Sequence, residues 1–552
     1  MTLSDNVRSA AIPPRVTAVH LLLLAGLCAF MFFWRLGDRA LWDVDEGKHA
    51  VVAKEMVQSG DWITPRFNGE VFFDKPVLHY WLVALCFEWL GVTEFAARLP
   101  AALMALGLVL ATYFLGRRLS DSRTALWGGI ILATCFECTV LARTVVHDIS
   151  LSFFITLALL LFYAGFQDER HRKWYYLGCY AAAGFAALAK GPLGLLLPGM
   201  IIGTYVLVRR RFRETFREAN LLIGLAVVLL IAAPWYIVVA ARNPGFGSYF
   251  ILHQNLERFA SLRAHHSEPI YYYALVLVAG FFPWSIFLIV QGVRLIKQTG
   301  SRGFFTGPDA YVHLWFVLPI AFFSAASSKL PTYIFPAFPA MAFMTARLFA
   351  DVDESKSPAL RRTLFAAYAV LCGLCLVAPF LLTDAARRAL QNEAGLAPWR
   401  VVPPFLCFGA GVLISFAMLL KKRTGAAVGW MAGAMTLVFA CVLTVVVPPY
   451  DEFRSSRELS RALDASLPRG EKVAFYKRVK ESVLFYTDRG ALLLNKPHDV
   501  TGYYRTHPTS VVVMDEDDVD RFAGRLQVVM RSGTKVAVRV RPESSAPRSP
   551  GR

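Results

Sequence analysis

The chain has 552 residues, of which 56% are hydrophobic and only 18% charged, and its mean hydropathy is +0.46. These values exclude an ordinary soluble protein and fit an α-helical, polytopic membrane protein. The formal net charge of +18 does not mark a nucleic-acid binder: much of it lies in short loops between apolar runs, where it reports topology and attracts anionic lipid.

Arg8 and Arg15 precede the first apolar run, and Trp34-Arg35-Leu36-Gly37 follows it with no small-residue cleavage site. An uncleaved first span is expected. Thirteen spans are predicted in all: 17–35, 95–116, 124–142, 145–166, 174–189, 191–208, 219–240, 271–293, 310–327, 330–349, 363–383, 401–420 and 426–448. With the N-terminus in the cytoplasm, every cytoplasmic loop is basic. Arg117, Arg118 and Arg123 fall in one, Arg209, Arg210, Arg211, Arg213 and Arg217 in another, Lys421, Lys422 and Arg423 in a third. That is the positive-inside pattern. Counting residues 77–92 as a further span would reverse all later loops. This segment is short and holds His79 and Glu88, so it is read as a helix on or dipping into the outer surface.

The opposite side carries longer segments, 36–94 and 242–270, of a length that is usually functional. Residues 1–448 are therefore read as a transmembrane domain with an outer loop, 36–94, bearing surface helices. From 449 to 552 the pattern changes to short β-branched runs at 472–476, 482–486, 510–514, 526–530 and 535–540, with a helical stretch at 457–465. This predicts a small α/β domain outside the cytoplasm. The nine cysteines fall in or beside apolar runs without zinc-like partners and are expected to be buried thiols.

Residues 42–81 concentrate ionisable groups beside an apolar helix: Asp43, Asp45, Glu46, Lys48, His49, Lys54, Asp74, Lys75 and His79. Charge held at a membrane surface is a functional-site signal. A surface helix is predicted over 45–58, with Gly60 as its stop and Asp45 at the N-cap position, where capping alone would explain the carboxylate. His147-Asp148, Lys190, Lys329, Tyr333 and a group in 242–270 (His253, Arg258, Arg263, His265, His266) fall on the same predicted side. Cations beside lipid suit a lipid-linked phosphate, and paired carboxylates suit displacement at an anomeric carbon. These residues alone do not identify a sugar or exclude a transporter.

The stretch 41–65, Phe73-Asp74-Lys75-Pro76 and its continuation to Trp81, Asp148, Ala189-Lys190-Gly191-Pro192, Glu257–Ala260, Ala279–Trp284 and Lys329–Ile334 together resemble the ArnT-type transferases. These belong to the GT-C superfamily and are related to protein O-mannosyltransferases. The resemblance runs over about residues 15–350. It implies a GT-C fold and inverting transfer of 4-amino-4-deoxy-L-arabinose from undecaprenyl phosphate to lipid A phosphate. The implied place is the periplasmic face of the bacterial inner membrane, and the outcome resistance to polymyxin and cationic peptides. Asp45 and Asp148 would then be catalytic. Glu46, Lys48, Asp74, Lys75, Lys190, Arg258, His266, Lys329 and Tyr333 would bind substrates. No cofactor is implied; if a divalent metal were bound, Asp43 and His265 would be its nearest candidates. Two other readings remain at this point: a related enzyme moving another polyprenyl-phosphate sugar, such as mannose to protein, and a lipid-phosphate transporter.

Overall fold

The computed structural model describes residues 14–250, 268–354, 357–377, 388, 396–454, 456–468, 470–522 and 525–541. In chain order, α1 is Pro14–Cys28, α2 Asp45–Ser59, α3 Leu78–Leu90, α4 Glu94–Leu119, α5 Ser122–Thr134, α6 Phe136–Leu141, α7 His147–Gln167, α8 Arg172–Lys190, α9 Leu193–Val208, α10 Phe212–Ala219, α11 Leu221–Arg242 and α12 Phe246–Ser248. Next come α13 Tyr272–Gly280, α14 Ser285–Thr306, α15 Ala310–Ala325, a 3₁₀ helix at Pro331–Ala337, α16 Phe338–Glu354, α17 Pro358–Val377, α18 Val402–Leu420, α19 Thr424–Cys441 and α20 Val447–Arg454. Each of the thirteen predicted spans meets one of these helices or a consecutive pair. Among the described residues, seven helices are long and apolar enough to cross a membrane. The other predicted spans are shorter, more polar or broken. The break at Cys135 between α5 and α6 lies against the break at Phe281–Trp284. Phe136 N–H donates to the Phe282 carbonyl at 3.0 Å, and Trp284 Nε1 donates to Thr134 Oγ1 at 3.1 Å. A backbone amide freed at one break thus finds its acceptor in the other, as a membrane interior requires.

Helix α3 has only 13 residues, in keeping with a segment too short to cross. Between α2 and α3, β1 (Arg66–Phe67) pairs with β2 (Glu70–Val71) through the two-residue turn Asn68-Gly69, both at positive φ. This is the turn chemistry that an Asn-Gly hairpin favours.

The C-terminal part opens with α21 (Arg457–Ser466), then β3 (Val473–Tyr476), α22 (Glu481–Tyr486), β4 (Ala491–Leu494), α23 (Pro497–Thr506), β5 (Val512–Asp515), β6 (Leu526–Ser532) and β7 (Lys535–Val540). The sheet order is β4-β3-β5-β7-β6, with β3 parallel to β4 and β5, and β7 antiparallel to β5 and β6. Four predicted strands are present. The run 482–486 is a helix instead, and β4 takes the strand position. Residues 481–485 are all buried, and a short, fully buried apolar run has no periodicity to separate helix from strand. The nine cysteines are free thiols, buried or half-buried.

Glu481, at the start of α22, is 6% exposed, and its Oε2 has no hydrogen-bond partner among the described residues. Burial pushes its carboxyl up to about 7, with nearby Asp43 adding to the shift. The folded protein therefore keeps a proton that the unfolded chain releases from its ordinary 4.5 upward. Bound protons exceed those of the unfolded state between these values, so this group lowers stability as pH rises through the window. Glu481→Gln is expected to raise the melting temperature at pH 8 and to leave it nearly unchanged at pH 4. Melting curves at both pH values check this; equal shifts would contradict it.

Candidate active site

The outer loop is tied down by buried cations. Arg98 of α4 donates to both oxygens of Glu46, from Nε at 2.7 Å and Nη2 at 2.9 Å. Its remaining hydrogens reach the carbonyls of Leu36 (3.1 Å), Arg39 (2.6 Å) and Ala40 (2.8 Å). Arg39 adds a second cation 3.2 Å from Glu46, and the Trp42 amide donates to the same carboxylate at 3.1 Å. Glu46 is 4% exposed and Arg98 1%. Glu46, expected on substrate, thus points inward and holds the loop. Successive helix residues lie about 100° apart, so Asp45 and Glu46 cannot face the same way.

Helix α2 begins at Asp45 itself. Val44 occupies the cap position and no side chain caps the helix, so the capping role anticipated for Asp45 is absent. Asp45 is exposed and makes no hydrogen bond or ion pair among the described residues. Lys48, one turn on and half-buried, shares its face. His49, buried where Asp45 is exposed, hydrogen-bonds through Nδ1 with the Tyr80 hydroxyl at 3.0 Å.

A ring cluster joins the outer loop to α7. The His147 imidazole packs against His49, His79 and Tyr80, with centroids 4.6, 4.9 and 4.7 Å apart. His79 Nδ1 meets Ser150 Oγ at 3.1 Å. Burial, and then Lys75, His79, Lys48 and Lys190, hold His49 well below its ordinary pKa. His49 is thus a neutral joint between the cations of α2, the 74–75 turn and α8.

On the far side of the joint, Asp148 pairs with Lys190 at the end of α8. The Lys190 ammonium lies 4.5 Å from the Tyr333 ring centroid, a cation–π distance. Lys329 is buried and donates to the Glu268 carbonyl at 2.9 Å. Lys75 Nζ reaches the Asp74 carbonyl at 3.2 Å, and Tyr249 donates to Asp74 Oδ1 at 3.4 Å. Arg258, His265 and His266 lie outside the described residues. Asp43 is engaged elsewhere: Oδ1 accepts from the Ser482 amide and Oδ2 from Lys535 Nζ, both at 2.6 Å. It is therefore engaged by the C-terminal domain, through α22 and β7. Among the described residues, no group of three or more His, Cys, Asp or Glu side chains gathers as a metal site.

Sequence reading singled out both walls and the histidines His49, His79 and His147, but not that these meet in a joint. No spacing rule links His49 to Tyr80 or His147; only the fold does. Arg98 was also missed, because an arginine at the start of a span reads as snorkelling to the interface.

Comparison with known proteins supplies the family. A Pseudomonas fluorescens undecaprenyl phosphate-α-4-amino-4-deoxy-L-arabinose arabinosyl transferase is 31% identical over 402 residues, covering 71% of this chain and 69% of the relative. The chain belongs to this arabinosyl transferase family. It is thus a multi-pass membrane glycosyltransferase. The Edwardsiella ictaluri arabinosyl transferase is 34% identical over 343 residues, 61% of each chain, so the chain spans just under two thirds of that relative's length. Residues 74–238 match the family model for dolichyl-phosphate-mannose-protein mannosyltransferases. In fold, the chain is similar to ArnT from Cupriavidus metallidurans bound to undecaprenyl phosphate. Its TM-score is 0.78 at 24% identity, covering 94% of this chain and 97% of that one. The apo form of the same enzyme gives 0.79 at 23%, covering 95% and 98%. The archaeal oligosaccharyltransferase AglB from Archaeoglobus fulgidus has a TM-score of 0.50 at 13% identity, covering 91% of this chain and 69% of that one.

Proposed function

We propose that this transferase moves 4-amino-4-deoxy-L-arabinose from undecaprenyl phosphate to a phosphate of lipid A, with its site on the periplasmic side of the bacterial inner membrane. The observation that carries the reading is the 402-residue match to an arabinosyl transferase, which covers 71% of this chain. In the reaction, an oxygen of the acceptor phosphate forms a bond to C1 of the sugar. The C1–O bond to undecaprenyl phosphate breaks, and the electron pair leaves with the undecaprenyl phosphate. The acceptor is already anionic, so little proton removal is needed. The work falls on orientation and on charge that develops at C1 and on the leaving phosphate.

Asp45 suits the first task. It is an exposed carboxylate with no partner of its own among the described residues, so its charge is available to a sugar acquiring positive character. Asp148 is half-buried against Lys190, which fixes the orientation of both. Lys190, Lys75 and Lys329 supply cations for the donor and acceptor phosphates, with Lys48 at the mouth, Asp74 beside Lys75 and Tyr333 beneath Lys190. Arg258 and His266 join this set on the strength of the family resemblance.

A strain that makes the donor but lacks its own transferase provides the test. Expressing this chain there is expected to place aminoarabinose on lipid A and to raise polymyxin tolerance. Unmodified lipid A, with the protein present in the membrane, would sink the reading. Sugar found on protein instead would favour a mannosyltransferase-like activity, the alternative raised by the match at residues 74–238.

A further inference from the structure

The C-terminal domain grips the outer loop at many points, most of them within residues 40–68. The Ala40 amide donates to Asp451 Oδ2 at 2.9 Å, and Trp42 Nε1 to Asp451 Oδ1 at 3.0 Å. The Leu41 amide reaches the Tyr486 hydroxyl at 2.8 Å. Lys54 donates to the carbonyls of Phe485 at 2.9 Å and Thr487 at 2.8 Å, closing the end of α22. At the hairpin tip, Asn68 Oδ1 accepts from the Ala491 amide at 2.7 Å and Nδ2 donates to its carbonyl at 3.1 Å. The side chain of Asn68 therefore continues the hydrogen-bonding edge of β4.

Two further contacts fall at the first turn of α2, beside Asp45. One is Asp43, held by the Ser482 amide and by Lys535, whose Nζ also donates to Ser456 Oγ at 2.6 Å. The Lys535–Asp43 pair is shielded, at 9% and 16% side-chain exposure, so solvent weakens it less than a surface pair. The other is Gly47. A Cβ placed there would lie 2.9 Å from the Ser482 nitrogen and 3.2 Å from the Glu481 carbonyl carbon. The backbone of α2 thus rests directly on that of α22, and only glycine allows the approach. Asp45 sits midway between these two contacts, two residues from each.

We propose that the C-terminal domain is a positioning element of the active site: Lys535 and Ser482 fix Asp43, and through it the direction of Asp45. Lys535, Ser482 and Asp43 are positioning residues and touch no substrate. The proposal rests on the catalytic reading of Asp45. Displacements of about 1 Å at a reacting group cost roughly a hundredfold in rate. A loosened first turn is therefore felt in turnover. The donor phosphate is held by Lys75, Lys190 and Lys329 and keeps its affinity.

The test is steady-state kinetics of the full-length protein with undecaprenyl-phosphate aminoarabinose and lipid A. Lys535→Met, which keeps length and loses charge, is expected to lower kcat about 10- to 100-fold while the donor KM stays within about threefold. Lys535→Arg is expected to restore most of the rate. Asp43→Asn is expected to lower kcat likewise, and the Asp43→Asn/Lys535→Met double variant to be no slower than the slower single variant, because both remove one pair. If Lys535→Met does not fold, Asp43→Asn alone carries the same expectation. A folded Lys535→Met or Asp43→Asn variant with wild-type kcat, or one changed only in KM, would overturn the proposal. Asp45→Asn is run alongside. If it is inactive while Lys535→Met is unimpaired, positioning by the domain is refuted and the catalytic reading stands. If Asp45→Asn is fully active, the catalytic reading falls.

Discussion

Asp45→Asn lowers kcat about 10²–10³-fold, the range seen when one group that stabilises developing charge is removed, and leaves the melting temperature within a degree or two. Both halves follow from the position of the side chain. Asp45 is exposed, caps no helix and pairs with nothing among the described residues. Its charge contributes little to the fold and is free to act on substrate. An amide of the same shape keeps the sterics and loses the charge. The donor KM is expected to move little, since the proposed reading gives the donor phosphate to Lys75, Lys190 and Lys329. Turnover and thermal unfolding of the same purified variant check the pair of expectations. Retained turnover, or a loss of stability that accounts for the lost activity, would contradict them.

Arg98→Met has the opposite signature. It removes the cation that holds both oxygens of Glu46 and three loop carbonyls. Breaking a buried pair by deleting one partner costs about 3–5 kcal/mol, because a buried charge is left behind. Arg39 remains 3.2 Å from Glu46 and limits the damage to the lower part of that range. Burial pulls against the Glu46 carboxylate, yet Arg98 and Arg39 hold its pKa below the ordinary value. The carboxylate therefore stays charged in the folded state, and its loss of Arg98 is fully felt at neutral pH. Thermal or denaturant unfolding in detergent is expected to show a large drop in stability. A stable Arg98→Met protein with a normal melting temperature would contradict this account. Glu46 and Asp45 are neighbours in sequence, yet one is expected to govern stability and the other turnover.

That contrast marks how far the sequence could be read. Helix α2, its stop at Gly60 and the short α3 were legible because periodicity, a C-terminal glycine and apolar length each have a direct structural meaning. The resemblance at 41–65, 73–81, 189–192 and 329–334 led to the right family. Lys190 could be named from sequence; its pairing with Asp148 could not, since 42 residues of chain separate them. The face that each carboxylate of Asp43-Val44-Asp45-Glu46 presents depends on where α2 begins and on what packs against it. Three acidic residues in a row of four look alike until Lys535, Ser482 and Arg98 are in place. The run 482–486 was misread for a related reason: every residue of α22 from 481 to 485 is buried against other elements, so no polar face remains to show its period.

The most direct test of the central claim is transfer by the purified protein. Undecaprenyl-phosphate aminoarabinose and lipid A are incubated with the wild-type chain or with Asp45→Asn, and lipid A is weighed by mass spectrometry. The expected result is the addition of aminoarabinose to lipid A by the wild type and its near absence with the variant. Lipid A unchanged by a folded wild-type protein, with donor present and intact, would contradict it.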